Sequence, residues 1–391
     1  MTGGGSGGHI TPVLAVAHEL KQLDKTIEIV YVSQTGDPLG DVPAEDPSID
    51  RVYSVRAGKF RRYHGEGIRQ LFDVATLYKN LRDAIFVLVG LWQSYWLLGE
   101  VRPDAIFTRG SFVSVPVCLA AKLRRIPYIT HDTDAIPGLA NRIIAPWATL
   151  HAVALPKEVY AYPAAKTLTL GVPIGRQFKQ LDRAEMTATR KQLHLDRAGR
   201  ILLLTGGGNG SRSLNNALAD CMPELLDRYA DLYVVQVAGR LDEAAMRQRY
   251  KQEVSAKDQQ RVIVKGFISN MYQYSGVADV VITRAGGTTI AELAVQAKAC
   301  VVVPAAFLSG GHQLKNAKVL ADRKAVKLVD EVHLREDFHA LMPALTELLD
   351  SPAKAVALGQ RLATLAQPDA AHHLAMVLLE VAEGKPVTDI A

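Results

Sequence analysis

Apolar and polar positions along this chain fall into two alternating kinds of block. Short, continuous apolar runs are followed by longer stretches with helical spacing. In the first half, IEIVYV (Ile27–Val32), AIFTRG (Ala105–Gly110) and YITHD (Tyr128–Asp132) read as strands. Pro12–Leu23, Leu71–Leu98 and Val113–Arg124 read as helices between them. In the second half, ILLLTGGGNG (Ile201–Gly210) ends in glycines and leads into a helix from Ser213. LYVVQVAG, VIVKGF, DVVITRAGG and ACVVVP follow as further strands. Continuous apolar strands are buried on both faces, as in parallel sheets covered by helices. The expected class is therefore α/β, with doubly wound, Rossmann-like sheets.

The halves repeat loosely, because each opens on a glycine loop that enters a helix: Gly3–Gly8 and Gly206–Gly210. Between them LTLGVPIGRQF (Leu168–Phe178) reads as a connection rich in glycine and proline. This gives a first domain over 1–170, a linker over 171–178 and a second domain over 179–368. A terminal helix, within 369–391, is expected to pack back on the first domain. Only Met1 and Thr2 precede the first glycine loop, where a buried strand is normal. The first sheet is accordingly expected to lack a central strand, through a late start or a cut chain, and to be less stable for it.

Composition narrows the picture modestly. Of 391 residues 48% are hydrophobic and 22% charged, and the net charge is +5, which suits an anionic ligand or membrane surface better than nucleic acid. Cys118, Cys221 and Cys300 stand singly, without metal-knuckle or disulfide spacing, so no metal is expected and a reducing cytosol is the default. The glycine-rich start has no basic region or apolar core of a signal peptide. Ala84–Gly99 is apolar apart from Gln93 and Ser94, yet its 16 residues fall short of a span, which needs about 20.

The glycine loops carry the candidate chemistry. Gly3-x-Gly5-x-x-Gly8 fits the dinucleotide fingerprint, but the following strand ends in Ser33 and Gln34, without the acid that would hold a ribose. A tight turn that lets helix and strand pack closely is the plain structural reading. Two helix N-termini, each behind a glycine loop, also suit a substrate pair carrying pyrophosphates. His9 follows the first loop, where an imidazole can exchange a proton near neutral pH. In ITRAGGTTIAEL a strand ends at Thr283, and Thr289 and Glu292 have capping-box spacing. Glu292 either caps that helix or accepts the hydroxyls of a ribose. SGGHQLKNA (Ser309–Ala317) adds His312, Gln313 and Asn316 beyond another strand.

Taken in order, GGSGGHITPVLAVA, RPDAIFTRGSFVSVPVCLAA, HDTDAIPGLANR, GGGNGSRSLN, GFISNMYQYSGVADVVITRAGGTTIAELA and HQLKNA resemble the lipid-II-forming N-acetylglucosaminyltransferases of peptidoglycan synthesis (the MurG family). The resemblance runs nearly the whole chain. It implies a GT-B fold, two Rossmann-like domains facing a central cleft. It implies transfer of N-acetylglucosamine from UDP-GlcNAc to the C4 hydroxyl of the muramoyl sugar of undecaprenyl-pyrophosphoryl-MurNAc-pentapeptide, with inversion and no required cofactor. By the same resemblance, Ile268 meets the uracil, Glu292 the ribose, and Gly287, Thr288, Thr289, Ile290 and Ala291 the diphosphate. Gln313 meets the donor sugar, and Ser6, Gly7 and Gly8 close on it from the first domain. His9 lies by the acceptor, its role as base left open. Departures fall at Asp134, in place of the family's asparagine and near the donor sugar, where it could hold a sugar hydroxyl, serve as base or repel a diphosphate. Others are Gly208 and Asn209 in the second loop, Gly175 with Arg176 beside the linker, and Phe112 for a tyrosine. Alternatives on the same scaffold are a related lipid glycosyltransferase, a UDP-sugar epimerase or a non-catalytic nucleotide-sugar-binding protein.

Such enzymes work as peripheral proteins on the cytoplasmic face of the plasma membrane, and the 84–99 segment is the candidate contact. On a helix Ile85, Leu88, Val89, Trp92 and Trp96 form one face, read as suited to the core. Phe86, Leu91, Tyr95 and Leu98 fall elsewhere. Lys79 and Arg82, with Arg56, Lys59, Arg61 and Arg62, would meet anionic lipid.

Overall fold

A computed structural model describes residues 1–5, 7–58, 74–208, 210–305 and 311–387. Ser6, Lys59, Arg61, Arg62, Asn209 and Ser309 lie outside the described residues, and Lys79 is described in its backbone only. The chain forms two compact units, with the boundary at Gly175–Arg176.

The first unit holds residues up to Gly175 and the C-terminal segment from Gln367. Its strands are β1 (Val30–Gln34), β2 (Arg51–Val55), β3 (Ile106–Thr108), β4 (Tyr128–Asp132), β5 (Leu150–Val153) and β6 (Thr167–Thr169). All pair in parallel: β1 with β2, and β3 to β6 in sequence order. The helices that bear on function are α1 (Gly7–Leu23), α2 (Val74–Val101) and α3 (Ser114–Arg124). The C-terminal helix Ala370–Ala382 packs on α1, burying Leu374, Ala375 and Val377 in one cluster with Ile10, Val13 and Val16.

The central strand of this sheet is shortened, not lost. Thr2 bridges Val32 on one side and Thr108 on the other, both in parallel register. Its N–H donates to the Phe107 carbonyl, the Val32 N–H donates to the Met1 carbonyl, and the Thr2 hydroxyl reaches the Val32 carbonyl at 3.0 Å. Two residues thereby join β1 to β3. The Met1 amine donates to the Val30 carbonyl at 2.6 Å, and burial pushes its pKa down to about 5. Beside Met1, Val30, Val32, Leu98, Ile106 and Val117 line an apolar cavity of about 30 Å³.

In the second unit the strands are β7 (Arg200–Thr205), β8 (Leu232–Val237), β9 (Val262–Lys265), β10 (Val280–Thr283), β11 (Ala299–Val302) and β12 (Lys327–Leu328). The order β12-β11-β10-β7-β8-β9 is parallel throughout, a doubly wound sheet whose order reverses between β7 and β10. In the first unit the corresponding reversal lies between Thr2 and β3. Loops at such switch points form the ligand crevices of open α/β sheets. The helices used below are α4 (Arg212–Arg228), α5 (Gly287–Val295) and α6 (His312–Asp322).

Helix α2 corrects the reading of its faces. It buries Asp83, Gly90, Ser94 and Leu98 and packs along α3, while Leu81, Ile85, Leu88, Trp92 and Trp96 face outward. Trp92 is 66% exposed and Trp96 60%. The reason is steric. A Cβ at Gly90 would sit 1.9 Å from the Arg56 carbonyl oxygen and 3.3 Å from Pro116, so the packed face admits no side chain at that position. By length and composition alone, its 22 residues from Asn80 to Val101 could cross a bilayer, longer than the 84–99 segment suggested. Asp83 and Ser94, however, turn into the protein, while among the described residues of the helix the outward stripe stays exposed.

Candidate active site

The first glycine loop turns directly from the Thr2 bridge into α1, which begins at Gly7, five residues earlier than its pattern suggested. Its geometry needs glycine: a Cβ at Gly3 would lie 2.6 Å from the His9 carbonyl oxygen and 2.7 Å from the Tyr31 hydroxyl. The Gly5 N–H is already taken by Asp37, whose Oδ2 accepts it at 2.8 Å. Asp37 thus braces the loop backbone and does not play the ribose-holding acid of a dinucleotide site. Free anion-binding capacity shifts to the first turn of α1, where Gly7, Gly8 and His9 sit.

His9 meets the loop that follows β3. The Arg109 Nη1 donates to His9 Nδ1 at 3.4 Å, and Arg109 Nη2 donates to the Thr133 hydroxyl. Burial of the ring and the adjacent Arg109 charge push the His9 pKa down to about 3, against a smaller opposing effect of the Arg109 backbone. Asp134 is half-buried one residue beyond Thr133, on the loop after β4. Behind it, Asp132 accepts from the Tyr162 hydroxyl at 2.8 Å, and burial raises its carboxyl. His131 donates from Nε2 to the Gly171 carbonyl at 2.8 Å, which fixes the proton on that nitrogen.

In the second unit three strand ends converge. After β7, Gly210 (φ +73°) lies so close to β8 that a Cβ would be 2.1 Å from the Ala238 carbonyl oxygen. Gly208 is exposed at the tip of this loop. After β10, Gly286 is the N-cap of α5 and makes no side-chain cap bond. The capping-box alternative is therefore excluded: Thr289 is the third residue of the helix, and Glu292 lies a full turn past its start. Glu292 is half-buried, and Thr288 and Thr289 stand in the first turn, whose backbone N–H groups point out of the helix end. Ile268 and Ile290 pack in one apolar cluster with Ala285. After β11, α6 brings Gln313, whose Oε1 accepts from the Ala305 N–H at 2.9 Å, and Asn316, whose amide donates to the Ala285 carbonyl at 3.1 Å. Arg176 is exposed at the head of this unit.

Arg284 escaped the sequence reading and ties these ends together. It donates to the Ser211 hydroxyl from Nε and Nη2, to Ser213 at 2.6 Å, to the Val303 carbonyl at 3.1 Å and to Glu331 Oε1 at 2.6 Å. The pair is buried, Glu331 to 3% and Arg284 to 11% side-chain exposure. Glu331→Ala leaves a desolvated guanidinium without its carboxylate, so it should cost about 3–5 kcal/mol of stability. Urea unfolding checks this: Glu331→Gln, which keeps the acceptor oxygen, should lose clearly less. Arg109 and Asp37 were also missed; a basic residue directly after a strand at a switch point was the available signal.

Two parallel doubly wound units, each with a glycine loop at its switch point, define a GT-B glycosyltransferase scaffold. Residues 1–153 match the glycosyltransferase family 28 N-terminal domain, and residues 201–374 match the family 28 C-terminal domain. The UDP-N-acetylglucosamine–N-acetylmuramyl-(pentapeptide) pyrophosphoryl-undecaprenol N-acetylglucosamine transferase of Moorella thermoacetica is 30% identical over 98% of both chains. The enzyme of the same name from Natranaerobius thermophilus is 31% identical over 86% of this chain and 87% of its own. The crystal structure of Acinetobacter baumannii MurG shares the fold with a TM-score of 0.67 at 23% identity, covering 97% of this chain and 98% of that one. The chain belongs to this N-acetylglucosaminyltransferase family.

Proposed function

We propose that this chain transfers N-acetylglucosamine from UDP-GlcNAc to the C4 hydroxyl of MurNAc in undecaprenyl-pyrophosphoryl-MurNAc-pentapeptide, inverting the anomeric centre. The observation that carries the reading is the match, along both domains, to enzymes named for this transfer. The donor belongs to the second unit. Its diphosphate takes the α5 N-terminus at Gly287–Ala291, Glu292 accepts ribose hydroxyls, and Ile268 lies against the uracil. Gln313 offers its amide N–H to the sugar, its carbonyl oxygen being engaged by Ala305. Arg176 and Gly208 complete the donor set within this unit. The acceptor belongs to the first unit, at His9 and Asp134.

The displacement needs no protein nucleophile. The C4 oxygen attacks the anomeric carbon, the bond to UDP breaks with its electron pair on the β-phosphate oxygen, and the hydroxyl proton passes to a base. The positive end of the α5 dipole favours the negative charge that grows on the departing diphosphate.

The lipid acceptor places the work at a membrane, and the outward stripe of α2 is the proposed contact. Basic groups flank it. Arg56 and Arg82 lie 5.5 and 5.4 Å from the Phe86 ring, Arg124 lies 4.0 Å from that of Tyr95, and the Lys122 Nζ is 3.8 Å from the Trp147 ring. An apolar stripe inside a cationic border fits an anionic leaflet, with the protein peripheral on the cytoplasmic side.

UDP release tests the function: it should require the lipid-linked acceptor. Saturable UDP binding without acceptor-dependent turnover would make this a nucleotide-sugar-binding protein instead. In the same assay His9→Ala should lower kcat about 100-fold or more, with UDP affinity nearly unchanged. An equal loss of UDP affinity would move His9 into the donor site.

A further inference from the structure

We infer that Arg109 is a positioning residue that holds His9 as a neutral imidazole with its proton on Nε2. His9 then enters the reaction as a hydrogen-bond donor and not as the base. The inference rests on the proposed acceptor role of His9 and refines it.

The argument is one of donors and acceptors. A guanidinium carries only N–H donors and stays charged at every working pH. The Arg109 Nη1–H points at His9 Nδ1 at 3.4 Å, so that nitrogen must present its lone pair. A neutral imidazole with an unprotonated Nδ1 carries its proton on Nε2. The guanidinium cannot swing away cheaply, because its other arm donates to the Thr133 hydroxyl beside β4. An imidazole in this state has its N–H on Nε2, which shares its bond between the Arg109 backbone carbonyl and a substrate oxygen, and has no remaining lone pair for a substrate proton. It can donate to an acceptor oxygen, whether of the sugar hydroxyl or of the pyrophosphate.

The charged and titratable surroundings agree with this assignment. From β1 comes Tyr31, whose hydroxyl lies under Gly3, and from the loop after β1 comes Asp37, bonded to the Gly5 N–H. From the β3 end comes Arg109, and from β4 come His131 and Asp132. Arg109 lowers the proton affinity of His9, His131 and Asp132 alike. The hydroxyl proton of the acceptor therefore leaves to a group other than His9. Asp134 lies on the same loop as Thr133 and is the carboxylate assigned that role here.

Histidine-selective ¹⁵N NMR of the full chain tests the inference directly, with His9 assigned by its loss in His9→Gln. The wild type should show unprotonated Nδ1 and protonated Nε2 for His9, unchanged from pH 8 to pH 5. In Arg109→Met the Nδ1 lone pair loses its donor, so the fixed Nε2–H tautomer should be lost and the His9 pKa should rise from its wild-type value, with burial still holding it below that of a free imidazole. Arg109→Lys, which keeps the charge, should retain most of the downward shift and guards against a variant that fails to fold. A wild-type His9 that carries its proton on Nδ1, or that titrates between pH 6 and 7, overturns the inference. Because the NMR readout needs no turnover, failure here is distinct from failure of the transferase reading. In that second case, the tautomer would be as stated with no acceptor-dependent UDP release.

Discussion

Replacing Trp92 and Trp96 together by serine should weaken binding to vesicles of anionic phospholipid about 100-fold and leave the fold intact. Both indoles stand on the outward side of α2, in line with Leu81, Ile85 and Leu88. Inserting a large apolar side chain into lipid is worth about 1.5–3 kcal/mol when complete. Half of the upper figure for each of these two large indoles gives roughly 3 kcal/mol, and 1.4 kcal/mol is about tenfold in affinity. Because neither ring is packed against the protein core, urea unfolding should shift by less than about 0.5 kcal/mol. Sedimentation with vesicles reads the first effect. Salt separates the contributions: the loss from Trp92 and Trp96 should persist at high ionic strength, whereas the part due to Arg56, Arg82, Lys122 and Arg124 is screened. Unchanged sedimentation of the double variant removes this face as the membrane contact.

The second large effect is acid lability of the first unit. His131 and His151 are 0% and 1% exposed, and burial pushes their pKa values down to about 3 and about 4. In the unfolded chain both titrate near 6.5. Between that pH and about 4 the unfolded state therefore binds more protons, and stability falls as pH falls. The full benefit is present above about pH 7.5. Each group contributes a slope of about 1.4 kcal/mol per pH unit, so the pair gives about 3 kcal/mol per unit across this window. Asp132, raised by burial, opposes the loss only where its carboxyl takes up a proton, and half-exposed His18, raised by Asp46, opposes it weakly. Urea unfolding from pH 8 to pH 5, followed by circular dichroism, should show this steep decline. His9 and the Met1 amine, also lowered by burial, add to the decline, so His151→Gln should reduce the slope by about 1.4 kcal/mol per pH unit whatever it does at pH 8. A flat profile would mean that these rings are solvated and protonated in the folded chain.

Much of this architecture was written in local pattern. Continuous apolar strands that end in glycine or threonine gave the parallel sheets, because a strand buried on both faces has no polar side to show. Tyr128–Asp132 was read to the residue. The short strands β2, β5 and β6 were not read, since RVYSV and TLT carry too few apolar positions to stand out. On α2 the pattern misled: with apolar residues all round, periodicity offers two faces and no means of choosing. Close approach chose for it, putting Gly90 and Ser94 inward and the tryptophans outward. Glu292 and Gln313 were picked out through ordered motifs, and they stand on the helices that follow β10 and β11. Arg109, Asp37 and Arg284 were not, because each acts by joining loops far apart in sequence: Arg109 to His9, Asp37 to Gly5, and Arg284 to Ser211 and Glu331. A single residue's partner across such a distance is set by sheet order and leaves no local mark.

The most direct measurement of the central claim is the structure of the product. The purified chain, UDP-GlcNAc and the polyprenyl-pyrophosphoryl-MurNAc-pentapeptide are incubated together, and the new linkage is read by NMR. The account predicts one new sugar, β-linked from its C1 to C4 of MurNAc, formed in step with UDP. An α linkage, attachment at another hydroxyl, or conversion of UDP-GlcNAc to its 2-epimer with the acceptor untouched would contradict it.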